Sequence, residues 1–182
     1  MLGLISVPRV HRAYTTVSHT GAGLITTNVD LTALRLPPIN RCYERLLGFL
    51  ATSGLPADVQ VRLRLTSSIN LEIITFNPLA GPVTIKVSWT VIIPGGAAYV
   101  ERGVTSQTTN ATTGQASTSV SITSVGSLAG AMEVHNGTTN TSGATGRIAS
   151  AIGYSSITAL LVEAYSPTGS LPIATNWCSV RM

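Results

Sequence analysis

VTIKVSWTVII, residues 83–93, alternates almost without a break. Val83, Ile85, Val87, Trp89, Val91 and Ile93 fall on one side of an extended chain, and Thr84, Lys86, Ser88 and Thr90 on the other. Successive side chains of a strand point to opposite faces, so this pattern predicts a half-buried β-strand.

The same period extends upstream. VQVRLRLT (59–66) puts Val59, Val61, Leu63 and Leu65 inward, and INLEIITF (69–76) aligns Ile69, Leu71 and Ile73. A two-residue turn between them would set Leu63 against Glu72, mixing an apolar and an acidic side chain on one face. An odd connection sets Leu63 against Ile73 and Arg64 against Glu72, which keeps both faces consistent. Either the hairpin has such a loop or the chain crosses between two sheets here, and both suit a β-sandwich. Further strands read at about 10–19, 23–31, 97–103, 117–125, 130–135, 157–165 and 173–180, separated by Gly- and Pro-rich turns. About ten short strands predict an all-β fold, an antiparallel β-sandwich in one domain over 1–182. No internal repeat is visible along the chain.

One helix is expected, over about 40–53. Asn40 follows Pro37-Pro38 as a cap, Ile39, Tyr43, Leu46, Leu47 and Leu50 form a stripe at helical spacing, and Gly54 and Pro56 mark its end.

Composition narrows the function. Only 10% of the 182 residues are charged and 44% are apolar, while Ser and Thr make up about a quarter of the chain. Residues 107–127, QTTNATTGQASTSVSITSVGS, hold no charged, aromatic or proline residue. Within them STSVSITSV places Val120 and Ile122 inward and Ser119, Ser121 and Thr123 outward. Neutral hydroxyls can hydrogen-bond across an interface without the desolvation cost of buried charge, so Ser119, Ser121 and Thr123 are candidates for a subunit interface.

The net charge of +4 sits in residues 1–64, where seven arginines face three acids. Arg9, Arg12, Arg41, Arg45, Arg62 and Arg64 are the candidates for a sparse face against nucleic-acid phosphates, with no recognition motif and few aromatics for base stacking. Catalytic vocabulary is thin: no GxSxG, SxxK or HExxH occurs, and TGAG (20–23) stops short of a phosphate loop. His11 and His19 lie about 26 Å apart along one strand, too far to share a metal. Glu133 and His135 share a strand face without a third partner. No catalytic residue, cofactor or metal is expected. Cys42 and Cys178 read as buried free thiols, and neither a secretory signal nor a membrane span is expected.

A Thr/Ser/Gly/Ala-rich chain of strands with one early helix and few charges resembles the small coat proteins of icosahedral viruses. The parts most similar are the strand pair at 59–76, the long strand 83–93 and the arginine-bearing helix expected at 40–53. The resemblance implies a single jelly roll, a structural rather than enzymatic role in a virion, and partners that are copies of the same chain, with weak genome contact. It departs from many such proteins in lacking a basic arm. Shells of the tymovirus type and membrane-containing phages with two small coat proteins are similar in that respect. The sequence does not choose between them, and the second of these alone implies a second coat protein as partner. The other class compatible with these residues is a carbohydrate- or receptor-binding β-sandwich of the fibre-tip or adhesin kind.

Overall fold

The computed structural model describes residues 7–53, 59–142 and 146–182. Its strands are β1 (Arg9–His19), β2 (Gly23–Asp30), β3 (Tyr43–Ser53), β4 (Gln60–Ser67), β5 (Asn70–Asn77), β6 (Val83–Ile93), β7 (Tyr99–Thr108), β8 (Gln115–Ser121), β9 (Ala131–Asn140), β10 (Ala149–Ser156), β11 (Ala159–Tyr165) and β12 (Pro172–Arg181). All pairings are antiparallel. They build three sheets, ordered β1-β6-β3, β10-β11-β8 and β2-β5-β4-β9-β12-β7. Among the described residues no helix is long and apolar enough to cross a membrane.

The alternating stretch 83–93 is β6, the central strand of its sheet. Its inward residues Val83, Ile85, Val87, Trp89, Val91 and Ile93 are all buried, packed against Val61, Leu63, Leu65, Leu71 and Ile73 of β4 and β5. The β4–β5 hairpin has the register that face consistency requires, with Leu63 opposite Ile73 and Arg64 opposite Glu72. A bulge between Leu65 and Ser67 supplies the odd residue.

The expected helix at 40–53 is not formed. One 3-10 turn, Ile39–Arg41, follows Pro38 without a side-chain cap, and Cys42 is already extended. The rest is strand β3, paired to β6. Gly54 and Pro56, the expected terminators, lie outside the described residues. The apolar stripe does not share a face: Tyr43 is buried, whereas Leu47 and Leu50 are 50% and 64% exposed. Two physical terms decide the outcome. A helix here would strip partners from one flank of the central strand β6, and Gly48 in mid-segment disfavours a helix. Gly48 lies instead at a bulge, with φ of 153°. The other strand that the pattern does not announce is β10, ASAIGYSS, in which small residues replace the expected β-branched ones.

The strand order occurs twice. In the first half β1-β6-β3 faces β2-β5-β4, and in the second β7-β12-β9 faces β8-β11-β10. Every strand from β1 to β6 has a counterpart of similar length about 90 residues on, as does the 3-10 turn Ile39–Arg41 in Leu128–Gly130. Bulges recur too: at Gly48 and Gly137 opposite β6 and β12, and at Leu65/Ser67 and Tyr154/Ser156. Aligned on these features, YERLLGFLATSG (43–54) matches MEVHNGTTNTSG (132–143), sharing Glu, Gly and a terminal TSG. The chain is therefore an internal duplication at the level of topology, with three sheets in place of the two of a single jelly roll.

The halves join at the edges of β4 and β9, which pair only through Val61–Thr138 and Arg62–Gly137. Beyond these two pairs Arg62 donates to Thr139 Oγ1 (2.8 Å) and Asn176 Oδ1 (2.9 Å), and Asn176 Nδ2 donates to the Leu63 carbonyl (3.0 Å). A small apolar cluster completes the junction: Tyr43 and Ile92 from the first half meet Val100, Val134, Cys178 and Val180 from the second. Inside it Glu44, 1% exposed, pairs with Arg102 at 3.3 Å.

Candidate functional site

The sheet β10-β11-β8 presents the neutral stretch to the outside. β8 alternates, with Ala116, Thr118 and Val120 turned partly inward and Gln115, Ser117, Ser119 and Ser121 exposed. Register carries the outer face across the sheet in rungs: Ala149–Tyr165–Gln115, Ala151–Glu163–Ser117 and Gly153–Leu161–Ser119. The result is a shallow groove of about 450 Å³ walled by Ala, Ser and Gln, with Tyr165 and Glu163 along its middle. Ser119, Ser121 and Thr123 are all exposed. Ser119 and Ser121 lie on this face, and Thr123 lies just beyond β8, its amide held by Glu101 Oε2 at 2.7 Å. The role of Ala149, Ala151 and Gly153 in making this surface is invisible in sequence, because β10 carries no strong strand signal.

The arginine set does not form one face. Arg62 is taken up in the β4–β9 junction. Arg64 donates to Glu72 at 2.7 Å, and Arg41 donates to the Ala98 carbonyl at 3.0 Å. Arg9, Arg12 and Arg45 are exposed, as is Arg41 despite that bond. Arg12 and Arg45 flank Thr90 on one rung of the β1-β6-β3 sheet, on its outer side. Lys86 joins that side, with its ammonium 3.7 Å from the Tyr14 ring centre. It alternates outward in 83–93, so it could have been read from the same pattern that defines β6.

Two of the acid–base candidates find internal partners. His19, buried, meets Thr75 Oγ1 at 2.8 Å. His135 Nε2 lies 2.6 Å from Ser150 Oγ, and Thr138 Oγ1 bonds to both Ser150 and Thr175. Beside them runs a second cleft of about 240 Å³, between β3 and β10. The Gly137 amide donates to His135 Nδ1 at 3.3 Å. With Nδ1 accepting, a neutral ring carries its proton on Nε2, which faces both Ser150 Oγ and Thr138 Oγ1. Burial also lowers the His135 pKa. Glu133 is exposed on the same strand. Among the described residues no three His, Cys, Asp or Glu side chains gather as metal ligands.

Cys42 and Cys178 are free and buried. Cys178 Sγ lies inside the junction, donating to Glu44 Oε1 at 3.4 Å and accepting from Asn136 Nδ2 at 3.3 Å. Asn136 and Asn140, which begin the triplets Asn136-Gly137-Thr138 and Asn140-Thr141-Ser142, are fully buried. Comparison with family models, curated proteins and solved structures returns no match.

Proposed function

We propose that the protein is a structural subunit of a viral coat, associating with copies of itself into a closed icosahedral shell and residing in the virion, with no catalytic role. The observation that carries this reading is the outer face of β10-β11-β8, a broad exposed surface of Ser, Ala, Gln and Gly with Glu163 as its formal charge. Such a face is poor at staying hydrated by charge and suited to many weak neutral contacts. The topology supports the reading, since each half carries six strands whose connections cross between two layers, one hairpin short of an eight-stranded jelly roll. The whole span 1–182 acts as one unit, tied by its shared central sheet. Genome contact falls to the sparse set Arg9, Arg45 and Lys86, weak and without sequence readout.

Negative-stain microscopy of a size-exclusion fraction, with the 260/280 nm absorbance ratio, tests this. Uniform closed particles are expected, and a high ratio would assign nucleic acid to them. Ser121→Arg combined with Thr123→Glu should abolish the particles. Particles unchanged by that pair would reject the interface, and a chain that stays small even with a second coat protein supplied would reject the shell.

A carbohydrate- or receptor-binding module is the second reading, favoured by one observation: Tyr165 is 45% exposed in the groove beside Glu163 and Gln115. Aromatic platforms flanked by polar groups suit sugar rings. Reproducible binding on a glycan array, lost in Tyr165→Ala, would move the assignment to this class.

A further inference from the structure

We propose that the second half of one copy docks onto the first half of the next by repeating the junction that joins the two halves within the chain. The inference rests on the self-association reading and adds a second interface to the β10-β11-β8 face, at the free edges of β10 and β3. Within the chain, strand β4 of the first half meets strand β9 of the second, and Glu44 meets Arg102. By the duplicated topology the counterparts of β4 and β9 are β10 and β3, and those of Glu44 and Arg102 are Glu133 and Arg12. The first pair of strands is used up. The second pair is not, because β10 and β3 both end their sheets.

Exposure follows the same correspondence. Leu47, Phe49 and Leu50 on β3 are 50%, 44% and 64% exposed, whereas their counterparts Asn136, Thr138 and Thr139 are buried where β4 and β3 cover β9. Val10 is 52% exposed, and its counterpart Val100 is 2% exposed inside the junction. A free surface carries large apolar groups at the positions that the internal junction buries. The charges complete the match. Glu133 and Arg12 are exposed and form no ion pair among the described residues, while Glu44 and Arg102 form a buried one. Glu133 of one copy and Arg12 of the next are thus placed to repeat it. The contact is head to tail, so it closes into a ring or continues as a filament according to its rotation.

Charge reversal tests the pairing. Glu133→Arg and Arg12→Glu are made singly, and thermal unfolding checks that each folds. Sedimentation then compares each variant, and their equimolar mixture, with the wild type. Each variant alone should need about tenfold or more higher concentration to associate, since a like-charge contact replaces an attractive one. The mixture should recover wild-type association, because alternating copies of the two variants again set opposite charges against each other at every contact. Two variants that associate like the wild type, or a mixture that does not recover, would overturn the junction and leave self-association standing. A wild type that stays monomeric would overturn both. If Arg12→Glu lowers retention of single-stranded RNA while association is unchanged, Arg12 belongs to a polyanion face and the junction is wrong.

Discussion

Trp89 and Trp177 hold equivalent posts in the two halves. Each lies on the middle strand of an equivalent trio, β1-β6-β3 and β7-β12-β9, and each indole Nε1 donates to a threonine hydroxyl on the neighbouring strand: Thr15 at 3.0 Å and Thr105 at 2.9 Å. Each threonine lies opposite the residue two before the tryptophan, Val87 in one half and Thr175 in the other. A buried indole needs a partner for its N–H, and the duplicated fold meets that need in the same way twice.

The residue opposite each ring differs. Ala13 faces Trp89, while Gly103 faces Trp177. A Cβ on Gly103 would overlap the six-membered ring of the Trp177 indole. Gly103→Ala should therefore cost about 1–3 kcal/mol through overpacking, read as a lower urea midpoint at unchanged slope. Ala13→Gly should cost only about 0.5–1 kcal/mol through backbone entropy. If Gly103→Ala were neutral, the second core would be looser than the indole packing implies.

Glu44 and Arg102 bind the halves from within. Removing one charge leaves the other desolvated, so Glu44→Gln and Arg102→Met should each destabilise by about 3–5 kcal/mol. Glu44→Leu combined with Arg102→Met should cost clearly less than the sum of the single changes, because no orphan charge remains. Denaturant unfolding of the wild type, the single variants and the double variant supplies the comparison. Additive losses would show that the two side chains act separately.

Much of this architecture is written in alternation, and the failures are specific. β6 and the β4–β5 hairpin are legible because their apolar and polar residues alternate and one register alone keeps both faces consistent. β3 is not, since Tyr43, Leu46, Leu47 and Leu50 fit a helical stripe as well as a strand. The choice is made by β6, which lies some forty residues away in sequence. The duplication is hidden for a related reason. What the halves share is where bulges, turns and buried positions fall, as at Gly48 and Gly137, while Leu47 and Asn136 or Arg45 and Val134 have little chemistry in common. The exposed serines of β8 can be placed from their alternation, but the groove they border needs β10, whose Ala and Gly carry almost no strand signal.

Burial pushes the Cys42 thiol up to about 11 and raises Cys178 well above the ordinary thiol range, with the nearby Glu44 carboxylate adding to it. The thiolate is the reactive form, so neither cysteine should react with a disulfide reagent at about pH 8 in the folded protein, and both should react after unfolding in urea. Stoichiometric labelling of the native chain within minutes would contradict this placement.

Acid should weaken the fold through two of its histidines. His19 and His135 both have pKa values lowered by burial from the ordinary 6.5. The unfolded chain therefore binds more protons than the folded one over the window just below that value, and stability rises with pH across it. The contribution is complete above about pH 6.5 and is lost as the pH falls toward the depressed folded values. Urea midpoints at about pH 7.5 and pH 5 should show the wild type less stable at the lower pH. His19→Gln combined with His135→Gln should flatten that difference, since glutamine can replace a ring hydrogen bond but cannot titrate. A double variant that keeps the full wild-type slope would place the acid sensitivity on other groups and leave both histidines as neutral bystanders.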